Sequence, residues 1–411
     1  FGSRQPYVLE FFVYRHVRMF FQALAKPYQH GLLFSGLFSV VLSVSFRDHI
    51  LAWFQKRVWI CKYRIIAINV FPVKAMAAVP LEAATFDTHG FVHDCRFAVT
   101  DRDGKLLTQR ERSRLAALQP KLTDSHLFLS DLVHTDIGTT SVPLQLLTED
   151  EQLLLEVEPH PNVEWGGFRP MCLDCGDEVA RWLTTALDWP EVGGPVQYRL
   201  VRMAGEDQQS YEVSPRRLRS ASKLATFADC YAEDIKLVFQ DSSPLLIASL
   251  ASLAELNRRL QKQGHSPISI ERFRPNLVID GSRAFEEDWW STLKLQGAGL
   301  GEGLPLQVAK SCHRCIVTTK PQAAGRAEEA SWPAAPEKMR LEPLKTLKKY
   351  RLRLGGTDVR FQASPCFAIN VSMQYPQEAA NAVVRVGDLL CVERYAKESL
   401  LKAKSVPGAL E

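Results

Sequence analysis

From about residue 63 onward, short apolar runs alternate with turn residues, which is the pattern of β-strands. In the first half, the runs "YRIIAINVFPV", "FVHDCRFAVTDRDGKLLTQ" and "EQLLLEVEP" predict strands, with a turn at Asp103-Gly104. In the second half, "ISIERFRPNLVID", "LPLQVAKSCHRCIVTT", "VRFQASPCFAINVSM" and "AVVRVGDLLCVERY" predict more. Because few crossover helices separate these runs, we expect a mainly β, mostly antiparallel body with α additions (α+β).

Two segments have helical spacing instead. The run "DEVARWLTTALDW" (177–189) predicts one amphipathic helix. A second helix is predicted within "PLLIASLASLAELNRRLQKQG" (244–264), with Ser252 and Glu255 as a capping box. Its leucines recur at intervals of four, three and seven residues, namely Leu246, Leu250, Leu253 and Leu260.

The composition indicates a globular body in two or three domains, since 46% of the 411 residues are hydrophobic. The net charge of +4 is uneven: residues 1–64 hold nine basic side chains against two acidic ones, and the rest holds 41 against 44. A nucleic-acid-binding face is therefore not expected on the body. The nine cysteines are scattered through a long chain, which indicates reduced thiols.

The basic N-terminal segment contains a charge-free run at 31–46. As a helix it would be roughly 24 Å long, short of a bilayer core of about 30 Å, so it predicts a tilted or interfacial membrane anchor. A buried core helix and a targeting segment are the alternatives. Changes of composition then predict four parts: 1–62 with the anchor, 63–227, 228–396 with a loop insertion at about 321–340, and a tail at 397–411.

Two Cys-x-x-Cys pairs carry candidate chemistry, Cys172 with Cys175 and Cys312 with Cys315. Zinc binding by both pairs is disfavoured because 137 residues separate them, far more than in a zinc ribbon. A redox dithiol is disfavoured because "IVTT" after Cys315 is a poor helix opening. One thiolate with basic neighbours remains, as a nucleophile or as a ligand for a soft metal.

Other polar stretches are weaker signals. On a strand, Arg272, Arg274 and Asn276 would share one face and suit an anionic ligand, or they would form a solvated edge. Asp241 and the two serines that follow it read as a turn or capping cluster.

Taken in order, several stretches make residues 63–395 similar to the MOSC superfamily, in particular to the mitochondrial amidoxime-reducing component group of molybdenum enzymes. The stretches "INVFPVKAM", "DGKLLTQRERSRLA" and "CGDEVARWL" resemble the N-terminal MOSC-associated β-barrel domain. The stretches "RFRPNLVIDG", "FEEDWW", "CHRCIVTT", "EPLKTLKKYR" and "VRVGDLLCV" resemble the MOSC domain itself. The resemblance implies a β-barrel-like domain packed on a MOSC β-barrel domain, preceded by a helical membrane-anchor segment.

The resemblance also implies a molybdenum cofactor (Mo-molybdopterin) between the two domains, with its metal coordinated by a cysteine thiolate that matches Cys315. It assigns further cofactor contacts to Lys74, Ser242, Arg274, Asn276, His313 and Arg314. Asp241, beside Ser242, is a candidate to donate or relay a proton. Two positions depart from the group's pattern: Cys95 stands where an arginine is usual, and Ala75 where a serine is common.

The activity implied is reduction of N-hydroxylated compounds, such as amidoximes and hydroxylamines. The chain has no ferredoxin-type cysteine run and no Gly-rich nucleotide fingerprint, so its electrons would come from a separate protein. The resemblance implies cytochrome b5 and its NADH-dependent reductase as that source. We expect attachment to the mitochondrial outer membrane with the body facing the cytosol. The alternatives are a cofactor carrier related to cofactor sulfurases, whose pyridoxal phosphate domain has no counterpart in these 411 residues, and a non-catalytic remnant.

Overall fold

The computed structural model describes residues 61–144, 154–158, 169–188, 195–204, 211–213, 235–322, 341–352, 363–396 and 399–400. The predicted anchor at 31–46 lies outside these residues, as do most of the predicted insertion at 321–340 and of the tail at 397–411. Among the described residues, no helix combines the length and the apolar character needed to cross a bilayer.

The described residues are mainly β, as predicted. The strands are, in chain order, β1 (Cys61–Val70), β2 (Val79–Leu81), β3 (Ala83–Asp87), β4 (Gly90–Phe91), β5 (Phe97–Asp101), β6 (Leu118–Leu122), β7 (His126–Asp131), β8 (Thr139–Pro143), β9 (Leu154–Glu156), β10 (Met171–Asp174), β11 (Tyr198–Met203), β12 (Tyr211–Val213), β13 (Ile235–Leu237), β14 (Leu245–Ser249), β15 (Leu277–Asp280), β16 (Trp290–Gln296), β17 (Leu304–His313), β18 (Cys366–Met373), β19 (Val383–Arg385) and β20 (Leu389–Tyr395). The α-helices are α1 (Asp177–Asp188), α2 (Leu250–Lys262), α3 (Leu344–Lys348) and α4 (Pro376–Ala379).

Seven strands close into a barrel in the order β1, β15, β14, β18, β17, β16, β20 and back to β1. Only β14 and β15 run parallel among these neighbours in the described chain. The apolar side chains of alternate positions fill the interior, where Tyr63 stacks on Trp290 with 5.0 Å between the ring centroids. The barrel confirms the predicted MOSC-like β-barrel, and it takes its first strand from the segment predicted to open the preceding domain.

The region between β4 and β14 forms separate sheets in its described part. Strands β5, β11, β10 and β9 make one antiparallel sheet, and β6, β7 and β8 make another. Helix α1, predicted at 177–189, is confirmed and packs Val179, Leu183 and Leu187 into the core between them. The expected barrel-like form of this domain is thus not a closed barrel over the residues described.

Three local predictions were wrong. Helix α2 begins only at Leu250, because residues 245–249 pair with β15 and β18 as a strand. The Ser249 hydroxyl accepts the backbone N–H of Ala251 as the cap, so the predicted Ser252–Glu255 capping box is absent. Short 3-10 helices replace strand at Ile270–Phe273 and at Ile316–Thr319, and β15 begins only at Leu277.

A buried carboxyl lies where α2 meets the barrel. Glu287 is 1% exposed, and its Oε1 accepts a hydrogen bond from the Ser252 hydroxyl at 2.6 Å. Burial raises the pKa of Glu287 to about 7, and the neighbouring Asp288 carboxylate adds to the rise. Asp288 itself is held by Arg351 through two hydrogen bonds, of 2.5 and 2.9 Å. The fold therefore retains a proton on Glu287 over a pH range in which the unfolded chain releases it.

Replacing Glu287 by Gln should stabilise the protein at alkaline pH. The folded protein resists ionising Glu287, so the cost to stability of the carboxyl grows as pH rises from about 4.5 to about 7 and is complete above that. We expect Glu287→Gln to raise the free energy of unfolding by up to about 3 kcal/mol at pH 8, and by little at pH 4. Urea unfolding across this range measures it. Glu302→Gln, on an exposed turn, is the control and should show no such pH dependence.

Candidate functional site

A cavity of about 500 Å³ opens where segments at one end of several barrel strands meet the loops of the preceding region. Its walls come from the segment after β1, the loops on both sides of β5, the segments before β14 and β15, and the end of β17. This volume falls in the range of small-molecule and cofactor sites.

Every residue predicted for the site lines this cavity. They are Lys74, Asp241, Ser242, Arg274, Asn276, His313, Arg314 and Cys315. The two positions that depart from the group's pattern, Ala75 and Cys95, line it as well. The fold thus brings together side chains that are up to 241 positions apart in the chain.

The cavity wall is strongly basic. Its basic side chains are Lys74, Arg110, Arg272, Arg274, Lys310 and Arg314, and its acidic ones are Asp94 and Asp241. Arginine and lysine in a recess bind phosphate and other oxyanions through charge-assisted hydrogen bonds. The geometry therefore suits an anionic ligand.

A lysine–aspartate pair joins the two sides of the cavity. The Lys74 ammonium is buried, donates to the carbonyl oxygen of Phe239 at 2.7 Å, and forms an ion pair with Asp241. The Asp241 side chain is 61% exposed, and the surface that it exposes faces the cavity. Burial among protein atoms opposes its ionisation, but Lys74 first, and then Arg110 and Arg274, lower its pKa below the ordinary value. Asp241 is therefore a carboxylate at neutral pH.

Backbone carbonyls hold two of the cavity arginines. The Arg314 guanidinium donates to the carbonyls of Phe367 and Phe273 at 2.8 to 2.9 Å. Arg274 donates to the Met76 carbonyl at 2.7 Å and stands over the Phe71 ring, 4.2 Å from its centroid. Burial lowers the pKa of Arg274 to about 10, which leaves it charged at neutral pH. These arginines are fixed cations that need no ligand to keep them in place.

Asn276 and Ser242 are similarly engaged. The Asn276 carboxamide accepts the backbone N–H of Leu246 at 3.0 Å and donates to the carbonyl of Asn69 at 3.3 Å. The Ser242 hydroxyl accepts a hydrogen bond from Asn370 at 3.2 Å.

Cys315 lies two residues beyond the end of β17, with extended backbone, as the cap of the 3-10 helix Ile316–Thr319. Its Sγ accepts a hydrogen bond from Nη2 of Arg110 at 3.1 Å. His313, the last residue of β17, has its Nδ1 3.4 Å from the buried Sγ of Cys366 on β18. The Cys315 thiol is thus a soft ligand in a cationic recess, which Cys95 and Cys312 also line.

Three residues of the cavity wall hold left-handed backbone without being glycine: Ala75 (φ 68°), Cys95 (φ 52°) and Arg274 (φ 54°). Such conformations cost about 1–3 kcal/mol each and cluster at functional sites. The Cys95 thiol is enclosed, and burial raises its pKa, so position 95 contributes no charge at neutral pH.

Three charged cavity residues, Asp94, Arg110 and Lys310, were missed by sequence reasoning. Asp94 is 2% exposed, its Oδ1 accepts the backbone N–H of Phe71 at 2.7 Å, and burial raises its pKa to about 6. Arg110 sits in "QRERSR", where three arginines in six positions hide the one that lines the cavity. Lys310 had a usable signal, because strand alternation puts it on one face with Cys312 and Arg314.

The other cysteine pair packs in the core. Cys172 is fully buried among apolar side chains such as Val201 and Met203, and Cys175 packs against the core around α1. Among the described residues, no three His, Cys, Asp or Glu side chains are grouped so that they could hold a metal ion.

Two protein families and several curated proteins are similar to this chain. The MOSC N-terminal beta barrel domain matches residues 62–190, and the MOSC domain matches residues 234–390. "Mitochondrial amidoxime reducing component 2" of Macaca fascicularis is 29% identical over 367 residues, which are 87% of this chain and 92% of that protein. "Mitochondrial amidoxime-reducing component 1" of Homo sapiens is 27% identical over 378 residues, or 89% and 94%. The component 2 protein of Rattus norvegicus is 29% identical over 309 residues, or 74% and 77%.

Removing the Asp241 carboxylate should make stability less dependent on acid pH. Because the pKa of Asp241 is lowered, its stabilising contribution is present above the ordinary aspartate range and is lost as pH falls through the folded pKa. We expect Asp241→Asn to cost about 1 kcal/mol at pH 7, a modest value because solvent in the cavity screens the pair, and less at pH 3, where protonation of the carboxylate begins to remove the contribution. Urea unfolding at both pH values measures it. Asp103→Asn, with a side chain 81% exposed, should cost nothing at either pH.

Proposed function

The chain belongs to the family of proteins that join a MOSC N-terminal beta barrel domain to a MOSC domain, and on that premise we propose that it is a molybdenum-cofactor-dependent oxidoreductase. We infer that its substrates are N-hydroxylated compounds, such as amidoximes and hydroxylamines. The relatives that cover most of the chain are named as amidoxime-reducing components, which supports the substrate class.

One observation carries the proposal: the Cys315 thiol faces a recess of about 500 Å³ whose wall carries six basic side chains. A pterin-based molybdenum cofactor needs a soft ligand for the metal and cations for its phosphate, and this donor set fits both needs. When bound, such a cofactor supplies two-electron redox chemistry and takes up an oxygen atom.

Different cavity residues are proposed to bind different parts of the cofactor. Cys315 is the proposed metal ligand, and Lys74, Ser242, Arg274, Asn276, His313 and Arg314 are the proposed cofactor contacts. Arg314 and Asn276 already bind backbone groups, so they act mainly by fixed charge and by shaping the wall. Lys74 supplies positive charge from the MOSC N-terminal beta barrel domain, and Arg274 supplies it from the MOSC domain.

Reduction of an N-hydroxylated compound breaks its N–O bond, consumes two electrons and two protons, and releases the oxygen as water. Two cavity carboxyls are placed to handle protons. Asp241, kept ionised by Lys74, is suited to relay a proton that it receives. Asp94, with a pKa of about 6, holds a proton closer to neutral pH and is suited to store one.

The electrons come from outside the chain. We propose cytochrome b5 and its NADH-dependent reductase as the source, in keeping with the family resemblance. We also propose that the N-terminal segment anchors the protein at the mitochondrial outer membrane with the body facing the cytosol, since the relatives are named as mitochondrial.

A second function is favoured by two cavity residues. Cys95 and Ala75 both line the cavity where the resemblance places an arginine and a serine. A charge-assisted contact contributes about 1.5–3 kcal/mol, so its absence at position 95 weakens retention of a phosphate-bearing cofactor. A protein that binds the cofactor and passes it on, without reductase activity, would tolerate such weak retention.

Cofactor content and turnover decide between the two functions. The full chain, purified from a host that makes the molybdenum cofactor, should contain molybdenum and pterin in equal amounts and should reduce benzamidoxime with NADH, cytochrome b5 reductase and cytochrome b5. Molybdenum and pterin in equal amounts, without benzamidoxime reduction, would support the second function, that of a cofactor carrier. A folded protein without molybdenum would contradict both functions.

The two neighbouring cysteines should differ sharply. Cys315→Ser removes the proposed ligand and should lower benzamidoxime reduction by at least about a hundredfold, beyond the usual cost of losing an outer contact of a metal site. Cys312→Ser should retain most of the activity, because the Cys312 thiol is not the proposed metal ligand. Initial rates at equal protein concentration measure both. Equal losses would point to a dithiol instead of a single ligand.

A further inference from the structure

Arg110 lies in a turn whose own hydrogen bonds fix its position. The backbone N–H of Arg110 donates to the Thr108 hydroxyl at 3.2 Å, and the same hydroxyl donates to the Glu111 carboxylate at 2.8 Å. The neighbouring Gln109 carboxamide donates to the Ala75 carbonyl at 2.6 Å and exchanges hydrogen bonds with Gln322. The turn is thus tied both to the segment after β1 and to the segment after Cys315.

The guanidinium of Arg110 differs from those of the other cavity arginines in what it contacts. Arg314 and Arg274 donate to backbone carbonyls, whereas Arg110 donates through Nη2 to Sγ of Cys315, 3.1 Å away. A guanidinium carries five N–H groups, and this sulfur is the one acceptor of the Arg110 side chain among the described residues. The half-buried Arg110 side chain lines the cavity, so its remaining N–H groups are available to a ligand there.

Arg110 also acts on the second residue proposed for the chemistry. Its charge is among those that lower the pKa of Asp241, after Lys74. The guanidinium is therefore near both the Cys315 thiol and the Asp241 carboxylate, and it comes from the MOSC N-terminal beta barrel domain, whereas both of those residues belong to the MOSC domain.

We propose that Arg110 is a substrate-positioning residue, whose free N–H donors bind the oxygen-bearing group of the ligand that reacts beside Cys315. This assignment rests on the proposed function and goes beyond the contacts that the family resemblance supplies. A planar fork of donors next to the reactive sulfur favours ligands that present oxygen or negative charge over ligands that present a cation.

Alkylation of Cys315 tests the charge of Arg110 without any turnover. The full chain is prepared in a host that cannot make the pterin cofactor, and iodoacetate and iodoacetamide are compared by mass spectrometry of the Cys315 peptide. Both reagents react with the same thiolate, so the iodoacetate rate divided by the iodoacetamide rate reports how strongly the cavity attracts an anionic reagent. In Arg110→Gln we expect this ratio to fall about fivefold, the effect of one charge a few ångströms away in a wet cavity.

Two variants serve as controls. Arg110→Lys restores the charge and should keep most of the wild-type ratio. Arg112→Gln removes an arginine from the same segment, but that side chain donates to the Tyr198 hydroxyl at 2.8 Å and does not line the cavity, so its ratio should equal that of the wild type. An unchanged ratio in Arg110→Gln, or an equal fall in Arg112→Gln, would overturn the proposal.

The cofactor-loaded protein gives a second readout. Loss of a charged hydrogen bond to bound substrate should raise the KM of Arg110→Gln for benzamidoxime about tenfold and change kcat less, with partial recovery in Arg110→Lys. A lower kcat at unchanged KM would overturn the positioning role. A wild-type protein that holds cofactor and does not reduce benzamidoxime would contradict the proposed function, while the alkylation ratio would still decide the role of Arg110.

Discussion

The pairing of β1 with β15 on one side and β20 on the other is the constraint on which the rest of the structure depends. It closes the barrel with a strand that lies more than 200 positions from either partner. The end of β1 is fixed by a reciprocal pair, since Asn69 donates to the Pro275 carbonyl and Asn276 donates to the Asn69 carbonyl. Without β1, two strands would present unpaired edges, and the chain after it would not bring Lys74 to Asp241. Barrel closure and assembly of the cavity are therefore one event.

Closure of the barrel also places backbone carbonyls where they stabilise the buried cations of the cavity. Cations in a recess lose hydration, which is why burial lowers the pKa of Arg274. Hydrogen bonds to backbone carbonyls offset much of that cost. Arg314 donates to the carbonyls of Phe367 and Phe273, and Arg274 donates to the carbonyl of Met76. These bonds fix the charges before any ligand arrives, so binding an anion requires little rearrangement of the wall.

The pattern of apolar and polar residues predicted the elements whose structure depends mainly on nearby residues. Most strands of the barrel and helix α1 follow from the spacing of apolar residues along the chain. The boundary of α2 did not, because residues 245–249 have apolar character compatible with either a helix or a strand, and pairing with β15 and β18 decides for strand. Arg110 was missed for a similar reason: its partner Cys315 lies 205 positions away, and no local signal separates it from the arginines beside it.

The substitution at position 95 shows how far a neighbouring residue replaces a lost charge. Cys95 is neutral because burial raises the pKa of its thiol, and the adjacent Arg96 is 4% exposed and paired with Asp87. Arg96 therefore does not supply the charge that Cys95 lacks. Near Cys95 the positive charge comes from Lys74, which is partly neutralised by Asp241, and from Arg274. Under the proposed function, position 95 thus loses one contact to the cofactor, whereas the basic contact to the Cys315 thiol is present.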